Sequence, residues 1–279
     1  MHLVDTHQHL WDLEQLPYSW TDGIEKLRRS FRFDDYLAAA ANTGITKTVF
    51  MECDVDEPHA LAEARHVQGL AETEPLICGI VASGRPEQEG FADHLDALSE
   101  LPKLRGLRRI LHTRPDALSQ SSLFREHIRM LAGRDLTFDL CLLARQLPVG
   151  MDLVRACPDT TFILDHCGVP DVKSGVLSPW REYIREFAAL PNVAACKISG
   201  IVAYADPGTW TTEDLRFWFE HVIECFGWDR VVWGGDWPVC TLSSSLARWV
   251  ETTRTLTAGA SESERARLFH LNAERIYRV

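Results

Sequence analysis

Eight short apolar runs, rich in β-branched residues, recur along the chain at 2–9, 46–52, 76–82, 105–111, 137–143, 161–166, 193–199 and 230–236. The segments between them carry helix signals. Asp34–Leu37 leads into Ala38–Ala41 and closes at Gly44, a glycine just past a helix end. Ser121–Glu126 opens on an N-cap serine and carries a glutamate at capping-box distance. In Ser178-Pro179-Trp180 the proline suits a first helical position. Alternating strands and helices imply parallel strands joined by right-handed crossovers. Eight such units favour an α/β fold closed into a single (β/α)8 barrel over residues 1–279, rather than an open doubly wound sheet. No GxGxxG or Walker loop follows any of the runs, which argues against nucleotide binding.

Composition narrows the function classes. The net charge is −11, so nucleic acid is not an expected partner. No apolar run approaches the roughly 20 residues that span a bilayer, so no membrane role is expected. The first run begins almost at Met1 without a basic and apolar leader, and the expected location is cytoplasmic. Eight cysteines occur without a CxxC pair, mostly inside apolar stretches, and read as reduced, buried thiols. Trp180, Trp210 and Trp218 are either core or interface residues, which leaves a homo-oligomer open.

In a (β/α)8 barrel, functional groups sit at the C-terminal ends of the strands, and three runs end in suitable residues. The first is Asp5-Thr6-His7-Gln8-His9. Alternation along a strand points Asp5, His7 and His9 the same way, and two imidazoles about 7 Å apart converge on one zinc-like ion. The second is Ile163-Leu164-Asp165-His166, an apolar strand ending in a histidine that is either functional or satisfied by local hydrogen bonds. The third is Val231-Val232-Trp233-Gly234-Gly235-Asp236, where the strand carries a carboxylate into a partly desolvated mouth as ligand or general base.

Other residues are secondary. Glu52 ends the second run. Lys197 in a buried strand needs either an internal partner or a substrate anion. Alternation puts Arg105 and Arg109 on one face of the fourth run and Arg108 on the other; one face meets substrate and the other the helices. Arg109, His112 and Lys197 are candidate substrate contacts, with Trp11 and Trp237 as an apolar wall or as core. Residues 11–33 form a long first loop over the mouth, and loops 113–121 and 203–212 join it as places for specificity.

Asp5–Trp11 (DTHQHLW), Lys103–Arg109 (KLRGLRR), Asp165–Pro170 (DHCGVP), Cys196–Val202 (CKISGIV), Gly234–Cys240 (GGDWPVC) and the ending Leu271–Tyr277 resemble the amidohydrolase superfamily, amidohydrolase-2 type. Within it they resemble the sugar-acid lactonases such as L-fuconolactonase and L-rhamnonolactonase. The resemblance implies a distorted barrel with His7 and His9 on the first strand, His166 on the sixth and Asp236 on the eighth. Two-metal members carry a bridging carboxylated lysine near strand four and a histidine on strand five. Here RGLRRIL and TFDLCLL offer neither, so the resemblance implies one divalent metal, best zinc, held by His7, His9, His166 and Asp236, with catalysis without metal left open.

The expected activity is a hydrolase that opens the lactone ring of a sugar acid, a small-molecule aldono- or aldarolactone. Asp236 and His166 are its catalytic residues, with Asp236 the base toward water. Two alternatives stand beside it: a metal-dependent decarboxylase of an aromatic or muconate-type acid, and a barrel that binds a sugar acid without converting it.

Overall fold

The computed structural model describes residues 2–279. Eight strands, β1 (Leu3–Gln8), β2 (Ile45–Met51), β3 (Ile77–Ser83), β4 (Leu104–Ile110), β5 (Thr137–Cys141), β6 (Thr161–Leu164), β7 (Val193–Ile198) and β8 (Val231–Trp233), pair in sequence order, all parallel. Each is followed by a helix: α1 (Phe33–Ala40), α2 (Ala60–Thr73), α3 (Phe91–Ser99), α4 (Ser122–Arg129), α5 (Leu147–Ala156), α6 (Trp180–Ala188), α7 (Thr212–Phe226) and α8 (Leu246–Leu256). Two short helices, α9 (Glu262–Ala266) and α10 (Asn272–Tyr277), flank a π-turn at Arg267–Leu271 and end the chain.

The eighth strand reaches the first at a seam rather than along a full ladder. Asp236 N–H donates to the His7 carbonyl (2.8 Å), and His9 N–H donates to the Trp237 carbonyl (2.9 Å). The Gly-Gly pair makes this approach possible. A Cβ on Gly234 would lie 2.7 Å from His7 Cβ, and one on Gly235 would lie 2.6 Å from Asp5 Oδ2.

The barrel interior is layered. At the bottom, Val49, Val81, Ile163 and Val232 meet Ile276 and Tyr277 of α10, which plug that end. Each fully buried Val or Ile there contributes about 1.5–3 kcal/mol relative to exposure. Above the plug lies a polar layer of Glu52, Arg108, Asp139, Asp165 and Lys197, all buried.

Several expectations need correction. Strands six and eight are shorter than 161–166 and 230–236. After Leu164 the chain turns left-handed, with φ of 53° at His166, 55° at Cys167, 68° at Gly168 and 46° at Val169. Asp236 likewise has φ 52°. Ser121 caps α4 by accepting from Phe124 N–H (3.2 Å), so the third helical position is Phe124 and Glu126 closes no capping box. Pro179 precedes α6 as its N-cap instead of occupying its first turn. Trp180, Trp210 and Trp218 are all buried within this chain. The eight cysteines are free thiols, six of them buried. Among the described residues, no helix is long and apolar enough to cross a membrane.

Candidate active site

A cavity of about 390 Å³ opens at the C-terminal ends of the strands. His9, Arg108, His112, His166 and Asp236 line its lower part; Trp11, Trp20, Ile24 and Leu27 of the first loop close over it.

β1 delivers the two histidines, though not by simple alternation. A register shift between Asp5 and Gln8 interrupts the period of two. Asp5 therefore turns aside, accepting from Tyr36 Oη of α1 (2.8 Å), Gly235 N–H (2.7 Å) and His7 N–H (3.0 Å). His7 and His9 face inward with ring centroids 4.8 Å apart. His9 Nδ1 is 2.9 Å from the Met51 carbonyl. A carbonyl only accepts, so Nδ1 carries a proton, and Nε2 faces Asp236 Oδ1 at 3.4 Å.

His166 is held by its turn, and its ring centroid lies 4.4 Å from that of His7. Its Nδ1 is 2.9 Å from Ser199 Oγ. The next residue, Gly200, has φ 66° and passes so close that a Cβ would sit 2.4 Å from His166 Nδ1. Strained backbone at His166 and Asp236 belongs with a functional site, where the surrounding structure holds such conformations in place.

His7 stands on the polar layer. Its Nε2 lies 3.1 Å from Arg108 Nη1 and 3.7 Å from Asp236 Oδ1, while Nδ1 lies 3.3 Å from Lys197 Nζ and 3.6 Å from Asp165 Oδ1. Burial and the Lys197 charge hold the His7 imidazole well below the usual histidine range. Burial lowers His166 as well, and pushes His112 down to about 4. These three rings are therefore neutral at pH 7 and offer lone pairs, not charge. Asp165 remains ionised: although burial opposes it, Lys197 and His7 hold its carboxyl well below the usual carboxylate range.

Lys197 is answered from within. Nζ lies 2.7 Å from Asp139 Oδ2 and 3.0 Å from Asp165 Oδ1, and all three side chains are fully buried. Burial would lower this ammonium, but the two carboxylates outweigh it and raise it. Tyr277 Oη completes the layer by donating to Asp139 Oδ2 (2.7 Å).

The structure thus brings His7, His9, His166 and Asp236 together and separates the secondary candidates. His112 and Trp11 line the cavity. Lys197 lies beneath His7 in the ion layer, away from the cavity wall. Arg109 leaves the cavity, binding Glu87 (2.6 Å) and Asp54 (3.5 Å). Its neighbour Arg108 enters instead, donating to Glu52 Oε1 (2.8 Å) and to the Glu52 carbonyl (2.6 Å). Trp237 packs against Phe31 and Tyr36 as core. Sequence reasoning had no place for Asp139, Ser199 or Tyr204, and treated Asp165 only as part of a strand-end motif. The DHCGVP segment already contained Asp165, and the inward period of β5 contained Asp139.

The donor set fits a divalent cation. The ligating atoms of His7, His9 and Asp236 lie within 4.8 Å of one another, and so do those of His7, Asp165 and His166. Asp165 Oδ1, held by Lys197 at 3.0 Å, lies 3.6 Å from His7 Nδ1, where a carboxylate orients the ring when Nε2 serves as ligand. His7 touches the cations Arg108 and Lys197 and the carboxylates Asp165 and Asp236, and Glu52 and Asp139 pair with the same two cations, so four buried carboxylates meet two cations. A divalent cation offsets that imbalance.

The profile of the amidohydrolase family matches residues 4–279. The chain belongs to that family. It is similar to an uncharacterised protein of Sinorhizobium fredii, 32% identical over 99% of this chain and 98% of the relative. It is also similar to an L-fucono-1,5-lactonase of Burkholderia multivorans, 30% identical over 98% and 95% of the two chains. Among solved structures, a zinc-bound amidohydrolase from Burkholderia multivorans superposes with a TM-score of 0.89 at 26% identity, covering 100% of both chains. This amidohydrolase is a hydrolase of the branch that contains lactonases, and its site suits a divalent metal.

Proposed function

We propose that the chain hydrolyses the lactone ring of a sugar acid. The observation that carries this reading is the convergence of three imidazoles and the Asp236 carboxylate at the bottom of a cavity sized for a small ligand. The lactonase named among its relatives supports it.

The chemistry follows from the residues. Asp236 holds a water and takes its proton as the oxygen attacks the ester carbonyl. Arg108, whose guanidinium reaches His7, stands beside the place where negative charge develops on the carbonyl oxygen, in a cavity that His9 and His166 also line. When the adduct collapses, the bond from the carbonyl carbon to the ring oxygen breaks. Asp236 then returns the proton to the departing alkoxide, giving the open hydroxy acid.

His7, His9, His166 and Asp236 would hold the metal, and a borderline set of imidazole and carboxylate donors suits zinc. When bound, it supplies Lewis-acid polarisation of the carbonyl and of water.

The test is acid release from a panel of aldonolactones in weak buffer, with wild type and Asp236→Asn. The variant is expected to lose at least about 100-fold in kcat, the usual worth of a general base, while melting within a few degrees of wild type. A variant retaining more than about a tenth of the rate removes Asp236 from the base role.

A further inference from the structure

At the N-terminal end of the barrel, opposite the cavity, the two ends of the chain meet. His2 precedes β1. His270 and Glu274 belong to the closing helical segment, four residues apart and so on one face. The π-turn at Arg267–Leu271 carries His270, and such turns gather at functional positions. The ligating atoms of His2, His270 and Glu274 lie within 4.8 Å of one another.

The distances suit a bridging metal. His2 Nε2 lies 3.2 Å from Glu274 Oε1, and His270 Nδ1 lies 3.7 Å from Glu274 Oε2. A tetrahedral zinc with its ligands at about 2.0–2.1 Å spaces neighbouring donors about 3.3 Å apart. A plain ion pair with Glu274 accounts for His2 but not for His270, whose Nδ1 is shut off from solvent and has no hydrogen-bond partner. An unpartnered buried nitrogen costs free energy, and a cation between it and the Glu274 carboxylate removes that cost. The surroundings hold the donors in place. Thr46 Oγ1 hydrogen-bonds to His2 Nδ1 and so orients the ring with Nε2 toward Glu274. Lys47 Nζ donates to Glu274 Oε1 (2.9 Å) and to the Val279 carbonyl (3.0 Å), fixing the carboxylate while Oε2 faces His270.

We infer that His2, His270 and Glu274 form a second metal site, separate from the active site, that binds zinc and ties the start of β1 to the terminal helix. Two imidazoles and one carboxylate are borderline donors, which select zinc over the oxygen-seeking magnesium and calcium. Three protein ligands on a partly exposed surface leave a position to water. Chemistry in such barrels occupies the other end, so this site serves stability. The α10 helix that it fastens plugs the barrel and supplies Tyr277 to the ion layer.

The test is calorimetric titration of zinc chloride into wild-type protein that has been loaded with zinc and desalted, a step that empties the weaker site. One further zinc per chain is expected, with a Kd on the order of micromolar, since a partly exposed three-ligand site falls short of a closed four-ligand one. Zinc at about 100-fold its Kd should raise the melting temperature by about 5 °C, and magnesium at the same concentration should not. His2→Ala and His270→Ala should each weaken this event at least about tenfold while melting, without added zinc, within a few degrees of wild type. His9→Ala, which damages the active-site donor set, should keep it, so the outcome is independent of the lactonase reading. Absence of a further zinc in wild type overturns the inference. So does further binding by either His2→Ala or His270→Ala within about tenfold of wild type.

Discussion

Lys197→Met distinguishes an internal ion pair from a substrate anchor. The ammonium is fully buried, 2.7 Å from Asp139 and 3.0 Å from Asp165. Removing it leaves two carboxylates buried side by side without their cation. Breaking a buried pair by deleting one partner costs about 3–5 kcal/mol. At about 2–4 °C per kcal/mol for a chain of this size, the melting temperature should fall by roughly 6–20 °C. The sign of the pH dependence is also set. Burial already raises the Asp139 carboxyl; without Lys197 it rises further, and Asp165 loses the charge that holds it down, so both lie above the unfolded value. The native state then keeps protons that the unfolded chain gives up, and stability falls as pH rises through that window. The deficit against wild type should therefore be smaller at pH 5 than at pH 8 in differential scanning fluorimetry. Adding Asp139→Asn, which removes one charge and keeps an acceptor for Tyr277, should recover part of the loss. A variant that melts within about 2 °C of wild type and shows only a raised KM would refute the internal role and restore Lys197 as a substrate contact.

Other perturbations follow from the same geometry. Gly200→Ala forces a Cβ to 2.4 Å from His166 Nδ1 at φ 66°, so kcat should drop at least about tenfold as the ring leaves Ser199; an unchanged kcat would contradict the positioning of His166 by this turn. Burial, then the Glu52 charge, push the Glu63 carboxyl up to about 8. Native Glu63 holds its proton across pH 4.5–8 while the unfolded chain ionises, so wild-type stability declines through that window. The melting temperature of Glu63→Gln minus that of wild type should therefore grow from pH 5 to pH 8, and a constant difference would count against the shift. After zinc loading and desalting, elemental analysis should find about one metal per chain in wild type and much less in His9→Ala, since each lost ligand weakens the site by orders of magnitude. Equal content in both proteins would place the metal elsewhere.

The barrel was legible because parallel strands buried on both faces read as apolar runs and the helices between them carry their own caps. The ends of β1, β6 and β8 were legible for a related reason: a histidine or carboxylate at the end of an apolar strand stands out. What alternation could not supply was a direction. On β4 it separates Arg108 from Arg105 and Arg109 but does not say which face is the interior, and the substrate role went to Arg109 when Arg108 enters. On β1 the shift between Asp5 and Gln8 breaks the period, so Asp5 left the set it was expected to join. The ion layer was harder still. Asp139, Asp165 and Lys197 come from three strands and meet only because the barrel closes, a distance that no local spacing encodes.

That layer links the last residues of the chain to the site. Tyr277 holds Asp139, Asp139 and Asp165 hold Lys197, and Lys197 together with burial keeps the His7 ring neutral. Without this chain of partners, His7 would sit beside Asp165 and Asp236 and be drawn toward the protonated form, with no lone pair to offer. Keeping the ring neutral therefore requires a buried cation, and a buried cation requires carboxylates to hold it. With Glu52 and Asp236 added, four buried carboxylates stand against the two cations, Arg108 and Lys197, that touch His7. That imbalance favours a divalent cation among His7, His9, His166 and Asp236.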